Sequence, residues 1–342
     1  MSTYLITGGT GSLGTALTLS LLADGHHVRT LSRHEPAIEK LQQVVARSWL
    51  DRVGNLSCFI GDVRDRARLA RAMAGVDYVI HAAAIKIIPL AEYDPVECAA
   101  TNIVGTVNVA EAAVDAGVKK AILISTDKAS APSTLYGASK LCAERIWLAA
   151  NRYCPTEQKF CAVRYGNVFG SAGSVIHTFL RQKESGTLLL TDRRMTRFHL
   201  TISDALKIIY SAVGYLQPGQ LYVPKLPSYS LENLARALGE DLRLEYTGRR
   251  PGEKLSESLI SRDESCYAVE HLGRYILTPG IVQTGSEWDY TSSSNTVRLS
   301  VADLREVIRV WQRNEPSLSP SAARVGALAT TLPRMAIASS GQ

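Results

Sequence analysis

A tyrosine and a lysine four residues apart are the pair in this chain best suited to acid–base chemistry. Tyr136 and Lys140 fall in a predicted helix over residues 136–151, where a spacing of four places both side chains on one face. A neighbouring ammonium stabilises a phenolate and lowers the pKa of the phenol toward neutrality, so Tyr136 can serve as a general base. Thr126 directly follows a predicted strand, residues 121–125, and can hydrogen-bond the same substrate hydroxyl. The three side chains predict proton transfer at a hydroxyl group.

Asp127 and Lys128 form a second acid–base pair at the end of the same strand. Open α/β sheets place their ligands at the carboxyl ends of their strands, so we expect both side chains beside the substrate. A simple dehydrogenase or epimerase has no need of a second pair. The removal of water does need one, because one group must protonate the departing hydroxyl while another takes a proton from carbon. The alternative interpretation is a surface ion pair in a loop.

A glycine-rich run, TGGTGSLG over residues 7–14, lies between a predicted strand and a predicted helix. It matches G-x-G-x-x-G counted from Gly9 and G-x-x-G-x-x-G counted from Gly8. Glycines allow a tight turn and let backbone amides approach a pyrophosphate at the helix N-terminus, which predicts dinucleotide binding. The flanking strand and helix make the motif specific, and the alternative is a glycine-rich turn without a ligand. The predicted cofactor contacts of this run are Gly8, Thr10, Gly11, Ser12, Leu13 and Gly14.

The end of the second predicted strand, residues 28–31, favours NADP over NAD as the cofactor. NAD-binding proteins usually carry Asp or Glu here for the ribose hydroxyls, and a carboxylate repels a 2′-phosphate. This chain has Ser32 and Arg33 instead, which can bind that phosphate. Asp62 and Val63 follow the third predicted strand and are placed to flank the adenine. A helix N-cap is the alternative role for Asp62.

Strand-forming and helical stretches alternate through the first half of the chain. This alternation predicts an α/β fold with a Rossmann-type doubly wound parallel sheet. We expect residues 1–165 to form mainly the NADP-binding domain and residues 166–312 mainly a smaller, interleaved substrate-binding lobe. The Ser-, Ala- and Pro-rich residues 313–342 are expected to form a disordered tail. The predicted strands are residues 4–7, 28–31, 57–60, 78–81, 121–125 and 160–164, and the predicted helices include residues 13–24, 65–74, 105–116 and 136–151.

The composition of the 342-residue chain argues against several classes of function. Its net charge of +6 is modest and its basic residues are scattered, so nucleic acid is not expected as a partner. No run approaches the roughly 18 apolar residues of a membrane span and no signal peptide is evident. We therefore expect a cytoplasmic protein with no membrane partner. The six cysteines lack metal-ligand spacing, which predicts reduced thiols and no metal site.

Six motifs occur in order along the chain, namely HAAAIK (81–86), PLAEYDP (89–95), STDKASAPSTLYGASK (125–140), VRYGNV (163–168), TDRRMTRF (191–198) and RPGEK (250–254). Together they resemble the soluble UDP-N-acetylglucosamine 4,6-dehydratases (5-inverting) of bacterial polysaccharide and pseudaminic acid biosynthesis. That family belongs to the extended short-chain dehydrogenase/reductase superfamily, and the resemblance covers roughly residues 2–311. It implies a lyase with tightly bound NADP that acts on a UDP-sugar, with UDP-N-acetylglucosamine favoured. It also implies a homo-oligomer, because the helices at 105–116 and 136–151 commonly pair between subunits in the superfamily.

The resemblance, carried over residue by residue, implies hydride transfer assisted by Thr126, Tyr136 and Lys140. It implies that Asp127 protonates the departing C6 hydroxyl and that Lys128, as a neutral amine, takes the C5 proton. Lys128 then needs a depressed pKa, which we expect burial beside other cations to supply. The further cofactor contacts are Ala82, Ala83, Ala84, Tyr136, Lys140 and Asn167, and the substrate contacts are Lys86, Tyr136, Asn167, Val175, Thr191, Met195, Arg197, Arg250 and Glu253.

Two features favour the inverting members of the family. Retaining relatives that act on deoxythymidine sugars carry Asp-Glu where this chain has Asp127 and Lys128, and relatives with a membrane-bound N-terminal region carry Met at the position of Tyr136. Three residues depart from the family pattern. Ile87 stands where the family often has His, His34 stands where an acidic residue is usual, and Thr134 stands where Asn is common. Ile87 and Thr134 are expected to line the substrate pocket and to bear on the choice of sugar.

Two other functions stay open. A UDP-sugar 4-epimerase would share the fold and the first half-reaction, but it would leave Asp127 and Lys128 without a task. A non-catalytic NADP-binding regulator is the second alternative, and the intact set of Thr126, Tyr136 and Lys140 argues against it.

Overall fold

The computed structural model describes residues 1–155, 157–250, 252–283, 285 and 287–314. All six predicted strands are present and extend the predictions by two residues at most at either end. The strands are β1 (Thr3–Thr7), β2 (His27–Ser32), β3 (Leu56–Ile60), β4 (Tyr78–His81), β5 (Lys120–Thr126), β6 (Lys159–Tyr165), β7 (Thr187–Leu190), β8 (Thr196–Phe198), β9 (Leu221–Pro224), β10 (Ser228–Ser230), β11 (Arg243–Tyr246), β12 (Ser258–Ile260), β13 (Ala268–His271), β14 (Arg274–Leu277) and β15 (Tyr290–Thr291). The α-helices are α1 (Ser12–Ala23), α2 (Glu35–Ser48), α3 (Arg66–Met73), α4 (Ile88–Tyr93), α5 (Pro95–Ala99), α6 (Gly105–Asp115), α7 (Leu135–Ala149), α8 (Val175–Lys183), α9 (Ile202–Tyr215), α10 (Leu231–Leu238), α11 (Arg262–Ser265) and α12 (Val301–Asn314).

One large sheet organises the described residues, with the strand order β13-β14-β9-β6-β5-β4-β1-β2-β3. Every neighbouring pair from β3 to β9 is parallel, while β14 and β13 add an antiparallel edge. The order of β1 to β6 is that of a dinucleotide-binding sheet, and the progression of strands reverses between β1 and β4. The loops after these two strands therefore form a crevice at the carboxyl edge. The predicted α/β, Rossmann-type fold is confirmed.

Helices cover both faces of this sheet, which explains the nearly continuous apolar character of its central strands. In β1, Ile6 packs with Leu17 of α1 and Leu206 of α9, whereas Leu5 belongs to the cluster on the opposite face. That second cluster includes Val109 of α6 and residues of α3 and α7. Adjacent residues of one strand thus point into two cores.

The smaller lobe has its own core and shares the large sheet with the first half of the chain. Helices α8, α10 and α12 pack around a buried cluster that includes Phe179, Leu234 and Leu304. Residues beyond 165 also supply β9, β13 and β14 to the large sheet. Helix α12 continues through Asn314, two residues into the predicted tail, and residues 315–342 lie outside the described part. Among the described helices, none is long and apolar enough to cross a membrane.

Candidate active site

The loop after β1 has no room for a side chain at three of its glycines. Gly8 has a φ of +69°, and a Cβ there would lie 2.9 Å from the backbone of Ala83. A Cβ on Gly9 would lie 2.6 Å from the Thr30 side chain, and one on Gly14 would lie 2.3 Å from the Gly8 carbonyl oxygen. Only glycine allows this left-handed turn and close packing together. The loop therefore presents bare backbone at the N-terminus of α1, as a pyrophosphate site requires.

A cleft of about 210 Å³ lies beside this loop, at the ends of β2 and β3. Ser32 shares a 2.7 Å hydrogen bond with the Thr10 hydroxyl. The Arg33 side chain is 52% exposed, and its Nη1 lies 3.2 Å from Asp62 Oδ2. The cleft has the position and polarity of an adenosine site, with a guanidinium at its rim. Predicted cofactor residues that line it are Gly8, Ser32, Arg33, Asp62, Val63, Ala83 and Ala84.

Asp62 is held by arginines and does not cap a helix. Burial opposes its ionisation, but hydrogen bonds from Arg64 and the charge of Arg33 together hold the pKa of Asp62 below its usual value. Helix α3 is capped instead by Asp65, whose side chain accepts a hydrogen bond from the Arg68 N–H. The alternative role of Asp62 as an N-cap is therefore wrong.

Helix α7 holds Tyr136 and Lys140 below the end of β5. The Thr134 hydroxyl accepts a 3.1 Å hydrogen bond from the Gly137 N–H and so caps the helix in place of the more usual Asn. Lys140 Nζ donates to the Ile124 carbonyl at 2.8 Å. Burial lowers the pKa of Lys140 to about 8, against the opposing charge of Glu144.

Tyr136 does not have the lowered pKa that the sequence led us to expect. Burial raises the pKa of Tyr136 to about 12, although the charge of Lys128 and a hydrogen bond with Thr126 act in the opposite direction. The reason is that desolvation of the phenolate outweighs these contacts, and that the Lys140 ammonium is directed at a backbone carbonyl.

Asp127 and Lys128 lie on a single 3-10 turn, Asp127–Ala129, directly after β5. Asp127 Oδ1 accepts hydrogen bonds from the Thr126 hydroxyl at 2.9 Å and from Lys128 Nζ at 3.0 Å. Lys128 Nζ also donates to Asn167 Oδ1 at 3.1 Å. The Asp127 side chain is 1% exposed and that of Lys128 16%. The alternative of a surface ion pair is therefore wrong.

A second carboxylate, Glu257, changes the electrostatics of this pair. Its Oε1 lies 3.5 Å from Lys128 Nζ and 3.6 Å from Arg197 Nε. Burial lowers the pKa of Lys128, but the charges of Asp127 and Glu257 outweigh it and hold the pKa above its ordinary value. The depressed pKa expected for Lys128 is thus wrong, because buried anions and not cations dominate its surroundings. Burial raises the pKa of Asp127.

A second cleft of about 430 Å³ opens from Lys128 toward the small lobe. Helix α8 points its N-terminus at this cleft, and the Oγ atom of the preceding Ser174 is buried without a hydrogen-bond partner in the described part of the chain. Thr134 lines the cleft as expected. Ile87 does not line it and is 53% exposed, so that expectation is wrong. Predicted substrate residues that line the cleft are Asn167, Val175, Thr191, Arg197, Arg250 and Glu253.

The chain matches a known protein family and several named proteins. The family described as "Polysaccharide biosynthesis protein" matches residues 4–279. The protein named UDP-N-acetylglucosamine 4,6-dehydratase (inverting) of Campylobacter jejuni is 43% identical over 295 residues, which cover 84% of this chain and 86% of that protein. The chain belongs to this polysaccharide biosynthesis family. The resemblance drawn from the six sequence motifs is confirmed.

Proteins with other names are also similar to the chain. A UDP-glucose 4-epimerase of Rickettsia akari is 36% identical over 331 residues, which cover 90% of this chain and 95% of that protein. The X-ray structure of Pen from Bacillus thuringiensis has a TM-score of 0.83 and 35% identity, and the match covers 90% of this chain and 98% of that chain.

Three predicted substrate contacts of this family member are outside the lining of this cleft, namely Lys86, Tyr136 and Met195. Met195 is fully buried, and its sulfur accepts hydrogen bonds from Thr191 Oγ1 at 3.0 Å and Arg197 Nη2 at 3.6 Å. The prediction that Met195 contacts substrate is therefore wrong. Met195 instead supports Thr191 and Arg197, which do line the cleft. Lys86 Nζ donates to the Ala172 carbonyl at 3.4 Å and is outside the cleft lining.

The remaining predicted cofactor contacts do not all lie at one place in the structure. Asn167 lies against Lys128 and not at the adenosine cleft. The Ser12 hydroxyl accepts a 3.3 Å hydrogen bond from the Ala172 N–H. Leu13 packs against the two cores, Gly11 precedes α1, and Ala82 donates its N–H to the Thr7 carbonyl.

Sequence reasoning missed Glu257 and Lys254. Lys254 Nζ donates to the carbonyls of Ser130 and Ala131, and so ties the small lobe to the loop that follows Lys128. The signal available for Lys254 was its place in the RPGEK motif. No local pattern in the sequence distinguishes Glu257 from a surface glutamate.

Proposed function

We propose that the chain is an NADP-dependent UDP-N-acetylglucosamine 4,6-dehydratase that inverts C5 and forms a UDP-4-keto-6-deoxy-2-acetamido sugar. The observation that carries this proposal is the buried acid–base pair of Asp127 and Lys128 on the turn after β5, near Tyr136. Tyr136 and Lys140 suffice for oxidation at C4. The additional pair provides the proton donor and the proton acceptor that loss of water requires. The Campylobacter relative at 43% identity carries this activity in its name.

A nicotinamide dinucleotide fits the carboxyl edge of the sheet. Gly8, Gly9 and Gly14 leave bare backbone for a pyrophosphate, and the cleft at the end of β2 takes an adenosine. We assign NADP because Ser32 and the exposed Arg33 stand where NAD-binding proteins carry a carboxylate. When bound, this cofactor supplies a hydride acceptor for C4 and, once reduced, a hydride donor for C6.

A nucleoside diphosphate sugar suits the larger cleft. The N-terminus of α8 favours an anion, and the buried Ser174 hydroxyl is available to donate to one. Arg197 and Arg250 line the same cleft and provide positive charge. These features support a diphosphate beside α8, with the sugar extending toward Lys128.

Oxidation at C4 uses the residues of β5 and α7. Tyr136 accepts the proton of the C4 hydroxyl, and the Thr126 hydroxyl orients that group. Lys140, held at the Ile124 carbonyl, stabilises through its charge the tyrosinate form of Tyr136 that accepts this proton. The ketone formed at C4 acidifies the hydrogen at C5.

Elimination of water needs Asp127 as a protonated acid and Lys128 as an uncharged amine. Together these two states are the neutral form of the observed ion pair. The two forms hold the same number of protons and differ by one transfer across the 3.0 Å between Lys128 Nζ and Asp127 Oδ1. Burial favours the neutral form. Lys128 then takes the C5 proton, the electron pair forms the C5–C6 double bond, and Asp127 protonates the C6 oxygen, which leaves as water. The pair ends as ammonium and carboxylate, and C5 is later reprotonated from the opposite face.

A UDP-sugar 4-epimerase is the second candidate, favoured by the 36% identity with the Rickettsia protein over 331 residues. Mass spectrometry of purified protein incubated with UDP-N-acetylglucosamine and with UDP-glucose separates the two. A dehydratase lowers the mass of the sugar nucleotide by one water. An epimerase leaves the mass unchanged and produces a stereoisomer, and that outcome would replace the proposal.

A further inference from the structure

Glu257 is a buried carboxylate of the larger cleft that the mechanism above does not use. It is 4% exposed, and one of its oxygens, Oε2, is buried without a hydrogen-bond partner among the described residues. Its backbone is fixed on both sides: its N–H donates to Ser292 Oγ at 3.0 Å, and its carbonyl accepts from the Ser292 N–H at 2.8 Å. Ser292 is itself hydrogen-bonded to Thr196. The Glu257 carboxylate is therefore held at a defined place beside Lys128.

Three oxygen atoms surround Lys128 Nζ, one each from Asp127 at 3.0 Å, Asn167 at 3.1 Å and Glu257 at 3.5 Å. An ammonium has three N–H bonds and can direct one to each oxygen. The amine that acts at C5 has only two N–H bonds and one lone pair. Once Asp127 has received the proton, it becomes a donor, and the acceptors that remain are Asn167 and Glu257.

We infer that Glu257 is a positioning residue that, together with Asn167, holds the two N–H bonds of the Lys128 amine and so directs its lone pair toward the C5 hydrogen. The inference rests on the proposed function, because it assumes that Lys128 takes the C5 proton. Arg197, whose Nε lies 3.6 Å from Glu257, keeps the acceptor ionised. Burial raises the pKa of Glu257, but the charges of Lys128 and Arg197 outweigh it and lower the pKa.

Loss of Glu257 leaves the amine free to rotate, and a rotated lone pair no longer meets the C5 hydrogen. Oxidation at C4 is expected to be spared, because it depends on Thr126, Tyr136 and Lys140. Two substitutions distinguish the hydrogen-bond acceptor of Glu257 from its negative charge. Glu257→Leu removes both, whereas Glu257→Gln keeps an oxygen that accepts from Lys128.

Single-turnover reactions with UDP-N-acetylglucosamine test the inference. Absorbance of the reduced cofactor follows oxidation at C4, and mass spectrometry of quenched samples follows loss of water. We expect Glu257→Leu to oxidise C4 at a rate within about threefold of wild type and to lose water about ten- to a hundredfold more slowly, so that reduced cofactor accumulates. Glu257→Gln should restore most of the rate of water loss.

Glu253→Leu is the matched control, because Glu253 lines the same cleft but contacts Thr191 and the Arg250 backbone. It is expected to raise KM and to leave the ratio of the two rates unchanged. Water loss in Glu257→Leu within twofold of wild type overturns the inference. Equal slowing of C4 oxidation and water loss in Glu257→Leu would show that Glu257 only supports the structure of the site. Water loss as slow in Glu257→Gln as in Glu257→Leu would show an effect of charge. Either result also overturns the inference. A wild-type enzyme that releases no water from any UDP-sugar overturns the proposed function itself.

Discussion

Lys128 Nζ and Asp127 Oδ1 lie 3.0 Å apart, and both side chains are shielded from solvent at the end of β5. A hydrogen bond of this length between a buried acid and a buried amine allows one proton to move between them without a change in net charge. The ion pair is the resting form, because Asp127 and Glu257 together raise the pKa of Lys128. In the proposed elimination, the acid and the base are thus the two ends of one hydrogen bond.

Replacement of Asp127 by Asn should stop the reaction after oxidation at C4. The amide keeps the shape of the carboxyl group but supplies no acidic proton to the departing hydroxyl. General acid catalysis contributes about 10²- to 10⁴-fold, so a loss of that size is expected in the rate of water release. Rapid-quench mass spectrometry and cofactor absorbance measure the two steps. Parallel loss of both steps would show that Asp127 only supports the fold of the site.

Gly8→Ala should weaken cofactor binding beyond the cost of its backbone conformation. Gly117 is a matched control, since its φ is also +69° but a Cβ there would have nothing within 4 Å. Each substitution should cost about 1–2 kcal/mol of stability for the left-handed conformation. Only Gly8→Ala must also push against Ala83. We expect purified Gly117→Ala to retain cofactor and Gly8→Ala to lose it, and equal retention by the two variants would contradict the assigned phosphate loop.

Ser32→Asp should shift cofactor preference from NADP toward NAD. A carboxylate at the end of β2 repels the 2′-phosphate and can bind the ribose hydroxyls instead. The ratio of the two dissociation constants should change by at least about tenfold, as loss of a charge-assisted hydrogen bond requires. Ser32→Ala is the control, because it removes the same hydrogen bond to Thr10 without adding charge. Calorimetry on cofactor-free protein measures both ratios, and an unchanged preference in Ser32→Asp would place the 2′-phosphate elsewhere.

The advantage that the Lys140 ammonium gives to oxidation at C4 should be lost as the pH rises through about 8. Burial lowers the pKa of Lys140 to about that value, and only its ammonium form stabilises the Tyr136 phenolate. In the unfolded chain Lys140 keeps its proton up to the ordinary pKa of 10.5, whereas in the folded protein it loses the proton at about pH 8. The contribution of Lys140 to stability therefore increases with pH between these two values. A single-turnover pH profile checks the kinetic part, with the slow Lys140→Met variant as the control. A ratio of the wild-type rate to the Lys140→Met rate that stays constant well above pH 8 would remove the assigned role of the ammonium.

Local sequence patterns predicted the parts of the site that lie within one segment. The four-residue spacing of Tyr136 and Lys140 and the glycines of the phosphate loop are local constraints, and the structure places them at the carboxyl edge of the sheet as expected. Six of the seven parallel strands were also predictable, because burial on both faces gives the central ones nearly continuous apolar sequences. The edge strands β13 and β14 were missed because their residues are mostly exposed or half-buried and show no clear pattern.

The electrostatics of Lys128 could not be predicted, because they depend on a residue far away in the chain. Glu257 is brought to the site by the pairing of β12 with β15, which fixes the backbone around Ser292. Together with the larger effect of Asp127, its charge reverses the direction of the pKa shift that burial alone would give Lys128. Met195 was misplaced for a related reason, since its motif fixes its neighbourhood but not the side of the chain on which its side chain packs.

The most direct test is a reaction of the wild-type protein with UDP-N-acetylglucosamine in heavy water, without added cofactor, with the product analysed by NMR. The account predicts a 4-keto-6-deoxy product that has lost one water, carries deuterium at C5 and has the inverted configuration there. A product of unchanged composition, or a dehydrated product that retains the C5 configuration, would contradict the roles assigned to Asp127 and Lys128.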